Sequence, residues 1–293
     1  MPKYLGIEKG VTISKTRRLP SPGEVLVRLN NRVNENTLIA KGRVKNPEIV
    51  EISVDQKLGV DPINLSSYML KKEGDAVKKD EIIALRRSFF STSTKICRSP
   101  LAGTLEAFSR STGKAYIRGV PIQIEVKAHI PGRVTELFPD EGAVIECRGS
   151  IVRGVIGVGG ETHGLLDILV DSTDEVLTAG LINKEHMGKV VVGGATATFE
   201  AFQKAAEVGV AAVVVGGVDE KDLTELLGHE IDLGDTGQER IGFSLIVLGG
   251  FGTNSMDIEA FHLFKEHAGG FACVDGTTQI RTRMLRPEVI LIS

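Results

Sequence analysis

The hydrophobic pattern of the chain changes near residue 155, and this change limits the folds available to it. Before that point, short β-rich runs alternate with turn residues and helical periodicity is almost absent, as in GEVLVRL, EIVEISV, EIIALRR and IQIEVKA. Runs of this length and spacing are typical of small sandwiches and barrels. We therefore predict an all-β region over residues 1–155.

After residue 155, strand-like runs alternate with helical ones. Their order is KVVVGG, TATFEAFQKAAEVG, VAAVVVGG, DEKDLTELLG, IGFSLIVLGG and NSMDIEAFHLFKEHAG. This alternation is typical of sheets whose strands run in the same direction, because each helix carries the chain back to where the previous strand began. We predict an α/β domain with a mostly parallel sheet over residues 156–293.

The composition excludes several classes of function. The chain has 293 residues, a formal net charge of −3 and a pI near 6.1, which argues against nucleic-acid binding because that needs a basic surface. We find no apolar run of the length that a signal peptide or a membrane span requires. We therefore expect a cytoplasmic protein with no membrane span and no nucleic-acid partner.

The cysteines point away from a metal or disulfide protein. Cys97, Cys147 and Cys273 are far apart and none forms a C-x-x-C pair. Three widely spaced cysteines are typical of reduced thiols in a cytosol, so we expect neither a disulfide framework nor a bound metal.

Two motifs in the first half have a recognisable spacing. EGDAVKKDEIIA (73–84) contains the tight turn Gly74-Asp75, and SPLAGTL (99–105) turns the chain into a second strand at Gly103. Together they resemble the biotinyl/lipoyl-type fold, also called the barrel-sandwich hybrid, over roughly residues 65–155. Asp80 stands where that family usually has a second glycine. The resemblance implies a compact β domain built from interlocked hairpins.

A carrier domain of that family holds biotin or lipoate on a lysine at the tip of the hairpin between the two motifs. The tip here reads RRSFFSTST and contains no lysine, while Lys95, the nearest one, is expected partway along the returning strand. We therefore predict the fold without biotin or lipoate. The N-terminal region of the C subunit of Rnf-type electron transport complexes is similar, since it also joins such a domain to an α/β region, but its Cys-rich segments have no counterpart here.

The first half also repeats itself weakly. PGEVLVRLNNRVNENTLIA (22–40) can be aligned with PGRVTELFPDEGAVIECRGSIV (131–152), and PLAGTLEAFSRSTGKAYIRG (100–119) shares the same rhythm of turns and strands. We predict from this that short, similar β units close into one compact body.

Two glycine-rich turns in the second half follow strands, where open α/β sheets bind ligands. The first is GGATAT, with Gly193, Gly194, Thr196 and Thr198, and its helix start suits a phosphate or carboxylate. The second is GGFGTNSMD, with Gly249, Gly250 and Gly252, where we expect Asn254 to cap the following helix. Both turns have a purely structural alternative, in which the glycines allow close packing.

Two further segments carry ionisable groups. Glu161 and His163 lie in GVGGETHG, which we expect to be a turn between two β runs; the pair suits acid/base chemistry, and a surface hairpin tip is the alternative. DGTTQIRTRMLRPE (275–288) brings Arg281 and Arg283 onto one strand face. This is either an anion-binding or subunit-contact surface or a strand edge guarded by charge.

No complete catalytic motif is present, such as a nucleophile elbow or an H-E-x-x-H helix. The sequence therefore favours a non-catalytic scaffold, adaptor or assembly module that contacts a protein partner or copies of itself. The alternative is an enzyme or sensor that binds a small anionic ligand or nucleotide at residues 193–198. Whether the chain is an enzyme stays open, with the scaffold preferred.

Overall fold

The computed structural model describes residues 6–43, 49–87, 94–121, 123–230, 236–237, 239–279 and 285–293. The strands up to residue 138 are β1 (Gly6–Arg18), β2 (Glu24–Val25), β3 (Arg32–Val33), β4 (Leu38–Arg43), β5 (Ile49–Ser53), β6 (Ala76–Val77), β7 (Ile82–Arg87), β8 (Thr94–Arg98), β9 (Gly103–Phe108), β10 (Lys114–Gly119), β11 (Gln123–Lys127) and β12 (Gly132–Phe138).

The later strands are β13 (Gly142–Arg153), β14 (Ile156–Val158), β15 (Glu161–Ile168), β16 (Val176–Leu177), β17 (Val190–Val192), β18 (Thr196–Ala197), β19 (Ala212–Val215), β20 (Ser244–Val247), β21 (Phe271–Asp275) and β22 (Glu288–Ile292). The helices are α1 (Val54–Leu58), α2 (Phe199–Val208), α3 (Glu220–Leu227) and α4 (Ile258–Glu266), with short 3-10 helices at Pro62–Ser67, Ala179–Leu181 and Lys184–His186. In the described ranges, none of these helices has the length and apolar character that a membrane crossing needs.

The chain divides into two compact units. Unit 1 comprises residues 1–18, 25–39 and 126–293, and unit 2 comprises residues 19–24 and 40–125. The boundary predicted at residue 155 falls inside unit 1. The pattern changes there because β13 ends at Arg153 and the strands that alternate with helices follow it.

Unit 1 is built on one large mixed sheet with the strand order β14-β20-β19-β17-β15-β21-β22-β13-β12-β3, and β1 pairs with β13. The neighbours β15, β17, β19 and β20 are parallel, whereas β21, β22, β13, β12 and β1 join antiparallel. The prediction of a mostly parallel sheet is therefore corrected. Strands β1, β3, β12 and β13 from the first 155 residues extend the α/β sheet.

Helices cover both faces of the parallel part of this sheet. On one face Val190, Val192 and Val214 pack with Phe261 and Phe264 of α4. On the opposite face the intervening residues Val191, Val213 and Val215 pack with Phe202 of α2 and Leu223 of α3. Strands buried on both faces read as unbroken apolar runs, and this is why VVV occurs in both β17 and β19.

Unit 2 contains a four-stranded sheet in the order β5-β10-β9-β6 and the β7-β8 hairpin. Its core is made of Ile52, Leu58, Leu65, Ile83, Leu105 and Ile117, all of them fully buried or nearly so. This core contains no residue of unit 1, so unit 2 has an apolar centre of its own.

One hairpin motif occurs twice in the chain. We call residues 26–40 with 128–138 copy A, in unit 1 apart from Ala40, and residues 70–84 with 99–108 copy B, in unit 2. Three backbone hydrogen bonds of copy A have counterparts of equal N···O distance in copy B. Leu26 N–H donates to Ile39 C=O and Leu70 N–H to Ile83 C=O, both at 2.8 Å, and Asn30 N–H donates to Val134 C=O and Gly74 N–H to Leu105 C=O, also at 2.8 Å. Val134 N–H donates to Asn31 C=O and Leu105 N–H to Asp75 C=O, both at 2.9 Å.

The two copies also share their irregular features. Asn30 and Gly74 both have positive φ, at 67° and 89°. The pairing of β12 with β13 slips after Val134, and that of β9 with β10 slips at Leu105. The structure thus matches 30–40 to 74–84, which differs from the predicted repeat that aligned 22–40 with 131–152.

Candidate functional site

A row of charged side chains crosses four strands at one end of the unit 1 sheet. Glu161 lies opposite Asp275, Asp275 opposite Glu288, and Glu288 opposite Arg153. Directly opposed residues of neighbouring strands share a face, so these four side chains form one continuous line. The pairing of these strands brings together residues that are distant in the sequence.

Strand β1 adds two cations to this row. Its alternate residues Val11, Ile13, Lys15 and Arg17 are more buried than the residues between them. The Lys15 ammonium contacts the Glu288 carboxylate. The Arg17 guanidinium donates to both oxygens of Glu161, at 2.5 and 2.8 Å, and its Nε donates to the Lys127 carbonyl at 2.7 Å.

His129 completes the cluster from a loop that follows β11. Its side chain is 2% exposed, and its Nδ1 lies 3.9 Å from Glu161 Oε2. Its Nε2 is buried and has no hydrogen-bond partner among the described residues. The backbone of His129 has a φ of 69°, a left-handed conformation that is uncommon for a non-glycine residue. We call Lys15, Arg17, His129, Glu161, Asp275 and Glu288 the charged cluster.

Burial and charge together set the protonation states in the charged cluster. Burial would raise the pKa of Glu161, but the hydrogen bonds from Arg17 and the charges of Arg17 and Lys15 hold it below its ordinary value. Burial lowers the pKa of His129, and the nearby carboxylates of Glu161 and Asp275 only partly oppose this. Burial also lowers the pKa of Lys15. A neutral imidazole therefore lies beside an ionised carboxylate.

In the charged cluster the Glu161 side chain is about one-third exposed, whereas one imidazole nitrogen is buried. Among the described residues, the open hydrogen-bonding position is Nε2 of His129, and that atom is enclosed by protein. Burial raises the pKa of the nearby Cys273 thiol to about 12, so this cysteine stays a weak nucleophile at neutral pH. In the state described by the structure, the cluster links β1 to the sheet.

The acid/base pair predicted from Glu161 and His163 does not form. Both residues lie within β15 and not on a turn between strands, so the expectation of a surface hairpin tip is wrong. His163 Nε2 is 3.2 Å from the Asn36 amide nitrogen and 3.9 Å from Glu35 Oε1, and its ring packs near Phe271. The imidazole beside Glu161 is His129 instead.

Sequence reasoning missed His129 because nothing marks it locally. It is far from Glu161 in the chain and lies in KAHIPG, where a left-handed histidine has no sequence signature. The detectable signal is in β1, where Lys15 and Arg17 continue the alternation begun by Val11 and Ile13. Charged residues at inward positions of a strand indicate a partner inside the fold.

The glycine-rich strand ends are packed against each other. An added Cβ at Gly194 would lie 2.3 Å from the Glu175 carbonyl oxygen, and one at Gly216 would lie 2.0 Å from the Asn254 carbonyl oxygen. Gly216 N–H donates to Gly194 C=O at 2.8 Å, and Gly249 N–H donates to Gly216 C=O at 2.6 Å. The carboxyl ends of β17, β19 and β20 are thus filled by the chain's own backbone.

The other predicted residues of the two turns have structural contacts. In GGATAT, Gly193 N–H donates to Val214 C=O, Thr196 pairs with Val176, and the Thr198 hydroxyl caps α2 by accepting from Ala201 N–H at 3.2 Å.

In GGFGTNSMD, Gly250 C=O accepts from Val218 N–H and Gly252 N–H donates to Val218 C=O. Asp257, not Asn254, caps α4, because its carboxylate accepts from Glu259 and Ala260, while the Asn254 amide donates to carbonyls of its own loop.

Two predicted features lie partly or wholly outside the described residues. Arg281 and Arg283 fall in the range 280–284, and the hairpin tip without a lysine falls in 88–93. Lys95 is in β8, opposite Arg86 of β7, as predicted from its position in the sequence. Within the described part of the chain, no three His, Cys, Asp or Glu side chains come together in a way that could hold a metal ion.

Comparisons with known proteins do not link the chain to a characterised group. No family model, no curated protein and no solved structure matches it. Its function must therefore be argued from its own residues and contacts.

Proposed function

We propose that this chain is a non-catalytic assembly module, which joins protein partners or copies of itself. The observation that carries the proposal is the packing at the carboxyl ends of β17, β19 and β20. Open α/β sheets bind substrates in a crevice at this position. Here Gly194, Gly216 and Gly249, at three adjacent strand ends, lie too close to neighbouring backbone to carry a side chain, and we infer that these ends pack against the chain itself.

The charged cluster supports the same proposal. Arg17 neutralises Glu161 and Lys15 neutralises Glu288, so the carboxylates act as partners for buried cations. A catalytic base has to meet the proton that it removes, and the free imidazole nitrogen of His129 is enclosed. Such a network stabilises a fold and contributes to its specificity without taking part in a reaction.

We propose further that copies A and B are two barrel-sandwich-hybrid units without an acceptor lysine. The matching backbone bonds and the slip shared by the two strand pairs support this interpretation. Lys95, the nearest lysine to the copy B hairpin tip, pairs along a strand with Arg86. A lysine within a strand is not at the apex of a β-turn, the position from which a carrier lysine swings between active sites.

Light scattering on the purified chain tests the proposed assembly. We expect a mass above that of the monomer, or a stable complex with a protein partner recovered from its host. A nucleotide-binding enzyme or sensor using residues 193–198 is the alternative, and it makes a different prediction. It requires a large nucleotide-induced rise in melting temperature that Thr196→Asp removes, whatever the oligomeric state.

Intact-mass measurement tests the absence of a carried group. We expect the mass that the sequence gives for the chain isolated from its host. A mass increment of biotin or lipoate on Lys95 would contradict both the strand position of that lysine and the assembly proposal.

A further inference from the structure

Unit 2 has a cavity of about 510 Å³ whose lining is rich in positive charge. Lys71 and Lys72 contribute from the segment before β6, and Arg110 contributes from the segment after β9. Met69 and Phe108 form an apolar part of the wall, and Ser66 and Glu73 complete it. The cavity thus offers cationic groups next to an apolar surface.

The cations of this cavity differ in whether they have an ion-pair partner. Lys71 pairs with Glu81 at 2.6 Å, so its charge is already neutralised. Lys72 and Arg110 form no ion pair with any described residue. Glu73, the carboxylate of the lining, accepts a hydrogen bond from Phe108 N–H at 3.1 Å. Two unpaired cations and one carboxylate leave the cavity with an excess of positive charge.

The unpaired cations and the apolar wall belong to one cavity, because Lys72 and Arg110 line it together with Met69 and Phe108. A ligand with acceptor oxygens would pair with both cations, and an apolar group attached to it would contact Met69 and Phe108.

We propose that this cavity binds a small organic anion, a carboxylate or phosphate attached to an apolar group. The anionic oxygens would accept from Lys72 and Arg110, while the apolar group would pack on Met69 and Phe108. This site lies in unit 2, far in the sequence from the predicted turn at 193–198. It goes beyond the proposed assembly function and does not depend on it.

Calorimetric titration of the full chain with phenyl phosphate and benzoate as probes tests this site. We expect saturable binding that weakens with added salt, because the recognition is electrostatic. The variant K72A/R110A should bind at least about tenfold more weakly, since it lacks two charge-assisted hydrogen bonds.

Matched controls separate the site from the general charge of unit 2. The variant K79A/R87A removes one lysine and one arginine outside the cavity and should bind as the original chain does. Equal weakening in both double variants, or no saturable binding of either probe, would overturn the proposal. Benzyl alcohol binding as well as the anions would disprove the charge requirement, and inorganic phosphate binding as well as phenyl phosphate would disprove the apolar contact.

Folding of each variant is checked by its melting temperature. The exposed side chains of Lys72 and Arg110 pack against little, so we expect these melting temperatures to stay close to that of the original chain. If K72A/R110A does not fold, the charge-reversing single variants Lys72→Glu and Arg110→Glu replace it. Unchanged affinity in both would equally contradict the site.

Discussion

At the scale of single residues, the main feature is the pairing of Arg17 with Glu161. Both side chains lie at the end of the unit 1 sheet, and the bond between them is bidentate. Bidentate arginine–carboxylate pairs are among the stronger polar contacts because both hydrogen bonds form in one geometry. Loss of either partner leaves the other charge in a half-buried position.

We expect Glu161→Gln to reduce the free energy of unfolding by about 2 kcal/mol. Breaking a fully buried ion pair typically costs about 3–5 kcal/mol. The loss expected here is smaller because the Glu161 side chain is about one-third exposed. Urea unfolding of the variant measures the loss. Glu141→Gln is the matched control, since Glu141 makes an exposed pair with Arg18 and should cost less than about 1 kcal/mol. Equal losses in the two variants would contradict the role given to the charged cluster.

His129 predicts how stability depends on pH. Burial lowers its pKa below the ordinary value of 6.5, so the unfolded chain takes up a proton more readily than the folded one. Stability from this residue is therefore complete above about pH 6.5 and decreases as the pH falls below it. The lowered pKa of Glu161 acts in a separate window, below its ordinary value of 4.5.

The decrease in the free energy of unfolding below pH 6.5 should be smaller in His129→Asn. Asparagine tolerates the left-handed backbone of this position but has no titrating group in this range. We expect the free energy of unfolding of the original chain to fall by up to about 1 kcal/mol per pH unit below pH 6.5 and that of the variant to fall less. His262→Asn, at an exposed position of α4, should keep the original slope. A slope that survives in His129→Asn would assign the pH dependence to another group.

At the scale of elements, glycine decides how the strand ends of the sheet pack. The sequences VVVGG and VLGG each end a strand of the parallel part with two glycines. Gly216 has other backbone atoms where a Cβ would be, and so do Gly194 and Gly217. These loops approach each other as closely as glycine allows.

We expect Gly216→Ala to lower the free energy of unfolding by about 3 kcal/mol or more. The added methyl group would lie 2.0 Å from a backbone oxygen, so two loops would have to separate. Gly180→Ala is the matched control, because its nearest contact would be 3.9 Å away. Denaturant unfolding should show little change for Gly180→Ala. A mild effect at Gly216 would mean that the strand ends have room for a ligand after all.

The elements that the sequence predicted best are those with a strong local signal. Helices α2 and α3 are confirmed, with caps at Thr198 and Asp219, because capping residues precede amphipathic runs. The sheet pairing of β13 with β1 and β22 was not foreseen, since it joins segments far apart in the chain and leaves no local pattern. Asp80 shows a finer limit: it has a φ of 64°, the conformation expected of glycine, in a residue type that tolerates it.

The residues of the candidate site likewise differ in how much local sequence signal marks them. Glu161 was singled out because it stands beside His163 in a glycine-rich segment, and Lys15 and Arg17 could have been found from strand alternation. The place of His129 in the charged cluster could not be predicted, because only tertiary packing brings the loop after β11 to the row of charges. The cavity of unit 2 combines residues 66–73 with residues 108–110, and no spacing in the sequence marks it.

At the scale of the whole molecule, unit 2 interrupts the chain of unit 1. Residues 40–125 lie between two segments of unit 1 that meet directly, because Ala128 N–H donates to Thr37 C=O at 2.9 Å. Along the chain, these residues separate the two segments of copy A, as the β7-β8 hairpin separates the two segments of copy B. Hairpin tips tolerate insertions because their ends are already adjacent.

We expect unit 1 to fold when residues 44–121 are replaced by a short glycine-rich loop. Its cores contain residues of unit 1 only, and the adjacent ends need little chain to join them. A cooperative thermal transition, with the pH dependence of His129 retained, is the expected result. An aggregated or molten product would show that unit 1 needs unit 2 to fold.

The position of unit 2 within unit 1 also sets an order of events during synthesis. Residues 40–125 leave the ribosome before β13 does, so the inserted unit can collapse around its own centre while β1 has no strand to pair with. Strand β1 must wait for residues 142–153, and contacts between such distant segments form slowly. A nascent chain stalled so that residue 125 has left the exit tunnel while residues 142–153 are still inside it should therefore protect the insert from proteases while its first 18 residues are still cleaved.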